Sequence, residues 1–174
     1  MPHLDAAYNL ARWLTRNDDD AKDVVQEAYL RAFRFFDGFH GDNARAWLLS
    51  IVRHTCFTWL KRNRSRDQAV EPADGGAGAH QTSVTGAALA DLESPEVLLL
   101  RALDRRQVNQ ALEALSADYR EVLILREIEE LSYRDIARIV GVPIGTGMSR
   151  LARARAQLQR AWLQVQAKDG GHGL

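Results

Sequence analysis

The chain of 174 residues is poor in cysteine, proline and lysine. Its single cysteine, Cys56, excludes an internal disulfide and any zinc site built from several thiolates. No apolar run approaches the roughly 20 residues needed to cross a bilayer. The opening Met1-Pro-His-Leu-Asp5 lacks the basic-then-apolar order of a signal peptide. There is no Gly-x-Gly-x-x-Gly, no Walker phosphate loop and no His-Glu-x-x-His. The Gly75-Gly-Ala-Gly78 stretch follows no strand, so it does not read as a phosphate cradle. The histidines are scattered at 3, 40, 54, 80 and 172. These absences lead to the expectation of a soluble, cytoplasmic, non-enzymatic protein with no cofactor and no metal. Cys56, on a helix with apolar neighbours, reads as a core residue.

Net charge is also missing, but only in the sum. Lys and Arg number 23, as do Asp and Glu. Residues 1–67 carry 11 basic and 9 acidic side chains, and residues 101–174 carry 12 and 9. Between them, residues 68–100 hold Glu71, Asp74, Asp91, Glu93 and Glu96 and no base. Residues 136–168 reverse this, with Arg138, Arg150, Arg153, Arg155, Arg160 and Lys168 and no acid. Arg outnumbers Lys by 20 to 3. That bias suits phosphate and base-edge contacts, and it equally fits a GC-rich coding bias.

Glycine and proline divide what remains. Residues 3–37, 42–71 and 96–140 contain neither. A short break falls at Asp37–Asp42, and a long one at 66–94, where Pro72, Gly75, Gly76, Gly78 and Gly86 lie among small polar residues. The expected organisation is a helical domain at 1–65, a flexible acidic linker at 66–94, a second helical domain at 95–166 and a disordered tail at 167–174. Helical stripes are predicted at Leu4, Ala7, Tyr8, Ala11, Leu14; at Val24, Val25, Ala28, Ala32, Phe35; and at Trp47, Leu48, Ile51, Val52, Thr55. Asp18-Asp19-Asp20 favours a helix start, and Asn43 can cap the third helix. Ser94-Pro95 opens a helix through Leu115. Ser116 caps another with Val122, Leu125, Ile128 and Leu131 on one side. No segment alternates as a strand does, so the fold class is all-α.

Residues 132–163 carry the most information. Ser132-Tyr-Arg-Asp135 has capping-box spacing, with Asp as a shorter Glu. Ile136, Ala137 and Val140 follow on one face, and Gly141 is placed to end the helix in a left-handed conformation. Val142-Pro143 makes a turn, and a second helix runs from about Gly145 to Val165. A short helix, a glycine turn and an Arg-rich second helix form a helix-turn-helix, whose second helix enters the major groove. Leu151, Leu158 and Trp162 are expected to face the core. The plain alternative is an Arg-rich solvated helix in a bundle.

Leu131-Ser-Tyr-Arg-Asp-Ile-Ala137 and Val142-Pro-Ile-Gly-Thr-Gly-Met-Ser-Arg-Leu-Ala-Arg-Ala-Arg155 resemble the C-terminal domain of bacterial extracytoplasmic-function (ECF) sigma factors of the sigma-70 family. Asp23-Val-Val-Gln-Glu-Ala-Tyr-Leu-Arg-Ala-Phe33 resembles their second conserved region, and Trp47-Leu-Leu-Ser-Ile-Val-Arg-His-Thr-Cys56 the promoter-melting segment after it. The resemblance implies a factor that binds core RNA polymerase, reads two promoter elements and helps to open the DNA. It implies that Asp23, Gln26 and Glu27 contact the clamp of the polymerase's largest subunit. It places Trp47, Arg53, His54, Thr58, Lys61 and Arg62 along the single-stranded −10 element. It places Thr146, Met148, Ser149, Arg150 and Arg153 on the −35 duplex, with Arg134 on phosphate. The linker would thread toward the active-site and RNA-exit channels. The flap of the second-largest subunit and an anti-sigma factor are the other implied partners.

Three features depart from that family's pattern. Gly147 stands where Val is usual, at a cost of about 1 kcal/mol relative to Ala in a helix interior, so a loosened recognition helix is expected. His54 stands where many members have an Asn that receives an extruded base. The chain starts inside the first helix-forming region, where an additional preceding helix is usual. Two other readings stay open: a sigma-like adaptor that sequesters an anti-sigma factor, and a stand-alone helix-turn-helix regulator.

Overall fold

The computed structural model describes residues 3–69 and 95–170. The chain runs through α1 (Leu4–Thr15), α2 (Asp18–Phe35), α3 (Ala44–Ala69), α4 (Pro95–Glu113), α5 (Ala117–Leu123), α6 (Tyr133–Val140) and α7 (Ile144–Gly170). A single 3₁₀ turn, Phe36–Gly38, follows α2, and a π-helical turn, Ile124–Ile128, continues α5. No strand occurs among the described residues. Of the expected linker, residues 66–69 continue α3, and 70–94 lie outside the described residues. Of the expected tail, 167–170 continue α7, and 171–174 lie outside.

Local chemistry accounts for most helix ends. Asn17 caps α2 by accepting from the Asp19 and Asp20 amides, and the three aspartates after it complement the helix N-terminus. Asn43 Oδ1 accepts from the Ala46 amide at 2.9 Å. Ser116 Oγ caps α5 through the Tyr119 amide. Ser132 Oγ accepts from the Asp135 amide at 3.1 Å. The reciprocal half of the expected capping box differs: the Ser132 hydroxyl donates to the Asp135 carboxylate at 2.9 Å. Asp, one methylene shorter than Glu, pairs with the hydroxyl. Gly141 has φ +75°, and its amide and that of Val142 both close onto the Ala137 carbonyl.

The helices α1, α2 and α3 pack mutually, and α7 packs against α4, α5 and α6. Leu10, Leu14, Val24, Leu49 and Val52 fill the first group; Val122, Ile124, Leu125, Ile136 and Leu151 fill the second. Each fully buried Leu or Ile stabilises its group by ~1.5–3 kcal/mol. The two groups are themselves in contact, α6 against α3 and α5 against α1, so the buried residues form a continuous cluster.

Three stripe residues face solvent instead of the core. Leu4, in the first turn of α1, is 42% exposed. Phe35 is 66% exposed, because it lies at the end of α2, where the chain turns into the 3₁₀ segment. Ile128 is 47% exposed because of the π turn. There the Glu129 amide bonds the Ile124 carbonyl, an i→i+5 closure that adds a residue to the turn. The added residue rotates the register. Ile128 moves outward, and Glu129 becomes 6% exposed.

Candidate nucleic-acid interface

Gly141 sets the start of α7. Its left-handed turn ends α6, Pro143 begins the next segment, and the Gly147 amide closes the first turn on the Pro143 carbonyl at 3.0 Å. Leu151 and Ala154 anchor α7 in the core, which leaves the opposite face of its first turns open. Thr146, Ser149, Arg150 and Arg153 share that face and line a recess with Ser116, Asp118 and Tyr119 from the start of α5. Ser149 Oγ donates to the Thr146 carbonyl at 3.0 Å, which orients its hydroxyl. Met148 is 48% exposed and does not line the recess. Arg134 is exposed on α6. Arg155, farther along α7, is engaged by Glu127 at 2.6 Å.

On α3, His54 and Thr58 share a face, with Lys61 and Arg62 one turn on. His54, Lys61 and Arg62 are exposed, and Thr58 is half-buried, its hydroxyl donating to the His54 carbonyl at 2.9 Å. Trp47 belongs to a different setting. It is half-buried, its ring 4.8 Å from Phe39 and 6.4 Å from Phe36. Arg53 is also apart. Its guanidinium stacks over Phe57 at 4.6 Å and points toward the C-terminal half.

On α2, Asp23 and Gln26 are exposed, and Glu27 is bridged by Arg31 one turn on. Beside them runs an apolar groove of about 920 Å³, lined by residues that include Tyr8, Val25, Leu30, Phe33 and Trp47. Phe33 is 86% exposed on its lip.

Three charged residues are buried among the described residues, and all lie at the junction of the two helical groups. Arg120 donates to the carbonyls of Leu112 and Leu115 in its own half, and to that of Trp13 in α1 at 2.7 Å. Burial pulls its guanidinium down to about 10, so it stays charged at neutral pH. Glu121, fully buried, accepts from Arg53 Nε at 2.6 Å and Nη2 at 3.1 Å, with Arg150 Nη1 3.7 Å away. Burial pushes its carboxyl up, with Arg53 and Arg150 acting in the opposite direction. Glu129 accepts from Asn9 at 3.1 Å and from Arg45. Sequence reasoning singled out none of Arg120, Glu121 and Glu129. The one available signal was the i, i+4 spacing of Glu121 to buried Leu125, which puts the carboxylate on the apolar face.

Cys56 is fully buried, and burial pushes its thiol up to about 12. Among the described residues, no cluster of three His, Cys, Asp or Glu could hold a metal ion. No described helix is long and apolar enough to cross a membrane.

Residues 1–66 match the family described as Sigma-70 region 2, and residues 105–158 the one described as Sigma-70, region 4. The RNA polymerase sigma-H factor of Pseudomonas aeruginosa is 39% identical over 147 residues, covering 82% of this chain and 72% of that protein. The ECF RNA polymerase sigma-E factor of Escherichia coli is 38% identical over 137 residues, covering 78% and 70%. Among solved structures, the sigma factor RpoE of Bartonella quintana, co-crystallised with the anti-sigma factor NepR, superposes with a TM-score of 0.71 at 31% identity. It covers 91% of this chain and 90% of that one. CnrH, solved with the cytosolic domain of CnrY, shares the fold at a TM-score of 0.59 and 24% identity, covering 91% and 80%.

Proposed function

The chain belongs to the ECF group of the sigma-70 family, and from that premise we propose that it docks on core RNA polymerase and directs promoter recognition, melting and initiation. The observation that carries this reading is the open face of α7. Thr146, Ser149, Arg150 and Arg153 line one recess directly after a glycine-ended helix, the placement a recognition helix needs in a major groove. Polar side chains at its start read base edges of the −35 element, and Arg153 and Arg134 meet phosphate. Met148 supplies apolar contact from the flank of the same turn.

In the N-terminal half, His54, Thr58, Lys61 and Arg62 form a polar and basic track for the unpaired −10 strand, with Arg53 and Trp47 at its margins. Asp23, Gln26 and Glu27 meet the polymerase clamp, next to an apolar groove that can take side chains from it. The domains are 1–65 for core and −10 contacts and 95–166 for the −35 contact, with 66–94 between them and 167–174 after them, although α3 and α7 extend to Ala69 and Gly170. The factor works in the cytoplasm without catalysis of its own. An anti-sigma factor is its third partner, because the sigma factor RpoE of Bartonella quintana, 31% identical to this chain, was solved bound to one.

The test is in vitro transcription with sigma-free core polymerase over a promoter library. Specific initiation that defines linked −10 and −35 sequences is the expected result. Failure to bind core at all would overturn the reading and favour a stand-alone DNA-binding protein.

A further inference from the structure

The junction between the two helical groups is built unlike the rest of the core. The buried charges of the described chain, Arg120, Glu121 and Glu129, all sit there, and each reaches across to the N-terminal half. Glu129 ends the π turn, its amide closed on the Ile124 carbonyl, and faces inward. The acceptor Glu121 holds both Nε and Nη2 of Arg53 and lies close to Arg150, so a single carboxylate engages one side chain from each proposed promoter-contacting surface.

We propose that Glu121 and Glu129 form an intramolecular latch that closes the free chain on itself and withholds Arg53 from DNA until the halves part. This rests on the sigma reading above only for what the withheld surface does. Physically, a buried ion pair is a poor glue, because desolvating both charges offsets most of their attraction. It is a good register device. Removing one partner in the closed state strands a charge without water, whereas separating the halves returns both charges to water together. A latch of this kind holds one closed geometry strongly and still opens when a competing anion takes the arginine. A promoter phosphate is such an anion, since it offers Arg53 the same two-oxygen geometry as the Glu121 carboxylate. Closure and −10 binding are then mutually exclusive at Arg53.

The experiment is small-angle scattering of the full chain without polymerase or DNA. The wild type and two variants, Arg45→Glu and Glu121→Gln, are compared. Arg45 is partly exposed on α3, so its reversal puts like charge against Glu129 without disturbing either core. Each variant's helix content is first matched to wild type by circular dichroism. The wild type is expected near the radius of gyration of a compact chain of this length, about 16 Å. Arg45→Glu is expected to raise the open-to-closed ratio on the order of 100-fold, read as a clear increase in radius. Glu121→Gln is expected to act in the same direction. Should Glu121→Gln fail to fold, Arg45→Glu decides alone. An extended wild type, or an Arg45→Glu chain as compact as wild type, would overturn the latch and leave the sigma reading intact. Variants that open as expected but never initiate with core polymerase would fault the sigma reading and leave the latch.

Discussion

Gly147 offers the sharpest test of how the recognition helix is held. It is buried, and its amide already bonds the Pro143 carbonyl, so it is a true interior position of α7 and not a frayed first residue. Its φ is not left-handed, so nothing in the backbone demands glycine. A Cβ placed there would lie 3.8 Å from Ala137 Cβ, 3.9 Å from Ala137 Cα and 3.9 Å from Val142 Cγ2, all ordinary contacts. Gly147→Ala therefore gains about 0.8–1.0 kcal/mol of helix propensity, part of it through the unfolded chain. The buried methyl adds up to about 0.8 kcal/mol. The sum, about 1–2 kcal/mol, corresponds to a rise in Tm of about 2–8 °C for a chain of this size. Thermal unfolding followed by circular dichroism, with urea denaturation as a second probe, reads it directly. An unchanged or lowered Tm would refute the reasoning. It would mean that α6 approaches α7 too closely for any side chain, and that glycine is required by packing. The sequence pattern alone pointed to Gly147→Val; the contact distances make Ala the smaller and cleaner step.

Three further outcomes are expected. Gly141→Ala forces a Cβ into φ +75° at the end of α6 and should cost about 1–2 kcal/mol in urea unfolding, with no compensating contact because its surroundings are open. Cys56, buried with its thiol pushed up to about 12, should resist a thiol-specific reagent at pH 8 in the native protein and react only on unfolding; rapid native labelling would show that the α3 core opens. Arg153→Ala, on the open face of α7, should weaken binding to a −35 duplex about equally across sequences and lower the salt slope by about 1, whereas Thr146→Ala should change base preference and leave the slope alone. An Arg153→Ala variant with an unaltered slope would remove that side chain from the phosphate contacts.

Much of this protein is settled within a few residues along the chain. The caps at Asn43, Ser116 and Ser132 and the left-handed stop at Gly141 are interactions of a side chain or a φ angle with neighbours no more than four positions away. The apolar stripes of α1, α3, α6 and α7 are likewise set by helical period, which is why the helix-turn-helix and the open face of its second helix are legible in the sequence. The Asn17 cap of α2 is equally local, accepting from the amides two and three positions on, although the sequence reading named only the aspartates after it. What depends on distant partners could not be read in this way. Arg53 looks like a free base on α3 until the fold brings Glu121, 68 positions on, against it. Asn9 meets Glu129 across 120 positions, and Arg120 reaches Trp13 across 107. The π turn that faces Glu129 inward and Ile128 outward breaks the 3.6-residue period on which the stripe at 122–131 was built. Local sequence decides which helices form and which faces they bury, because those choices involve neighbouring residues. Only the tertiary structure decides which charges end up buried together, because a carboxylate is stable inside only where a donor from elsewhere in the chain arrives to meet it.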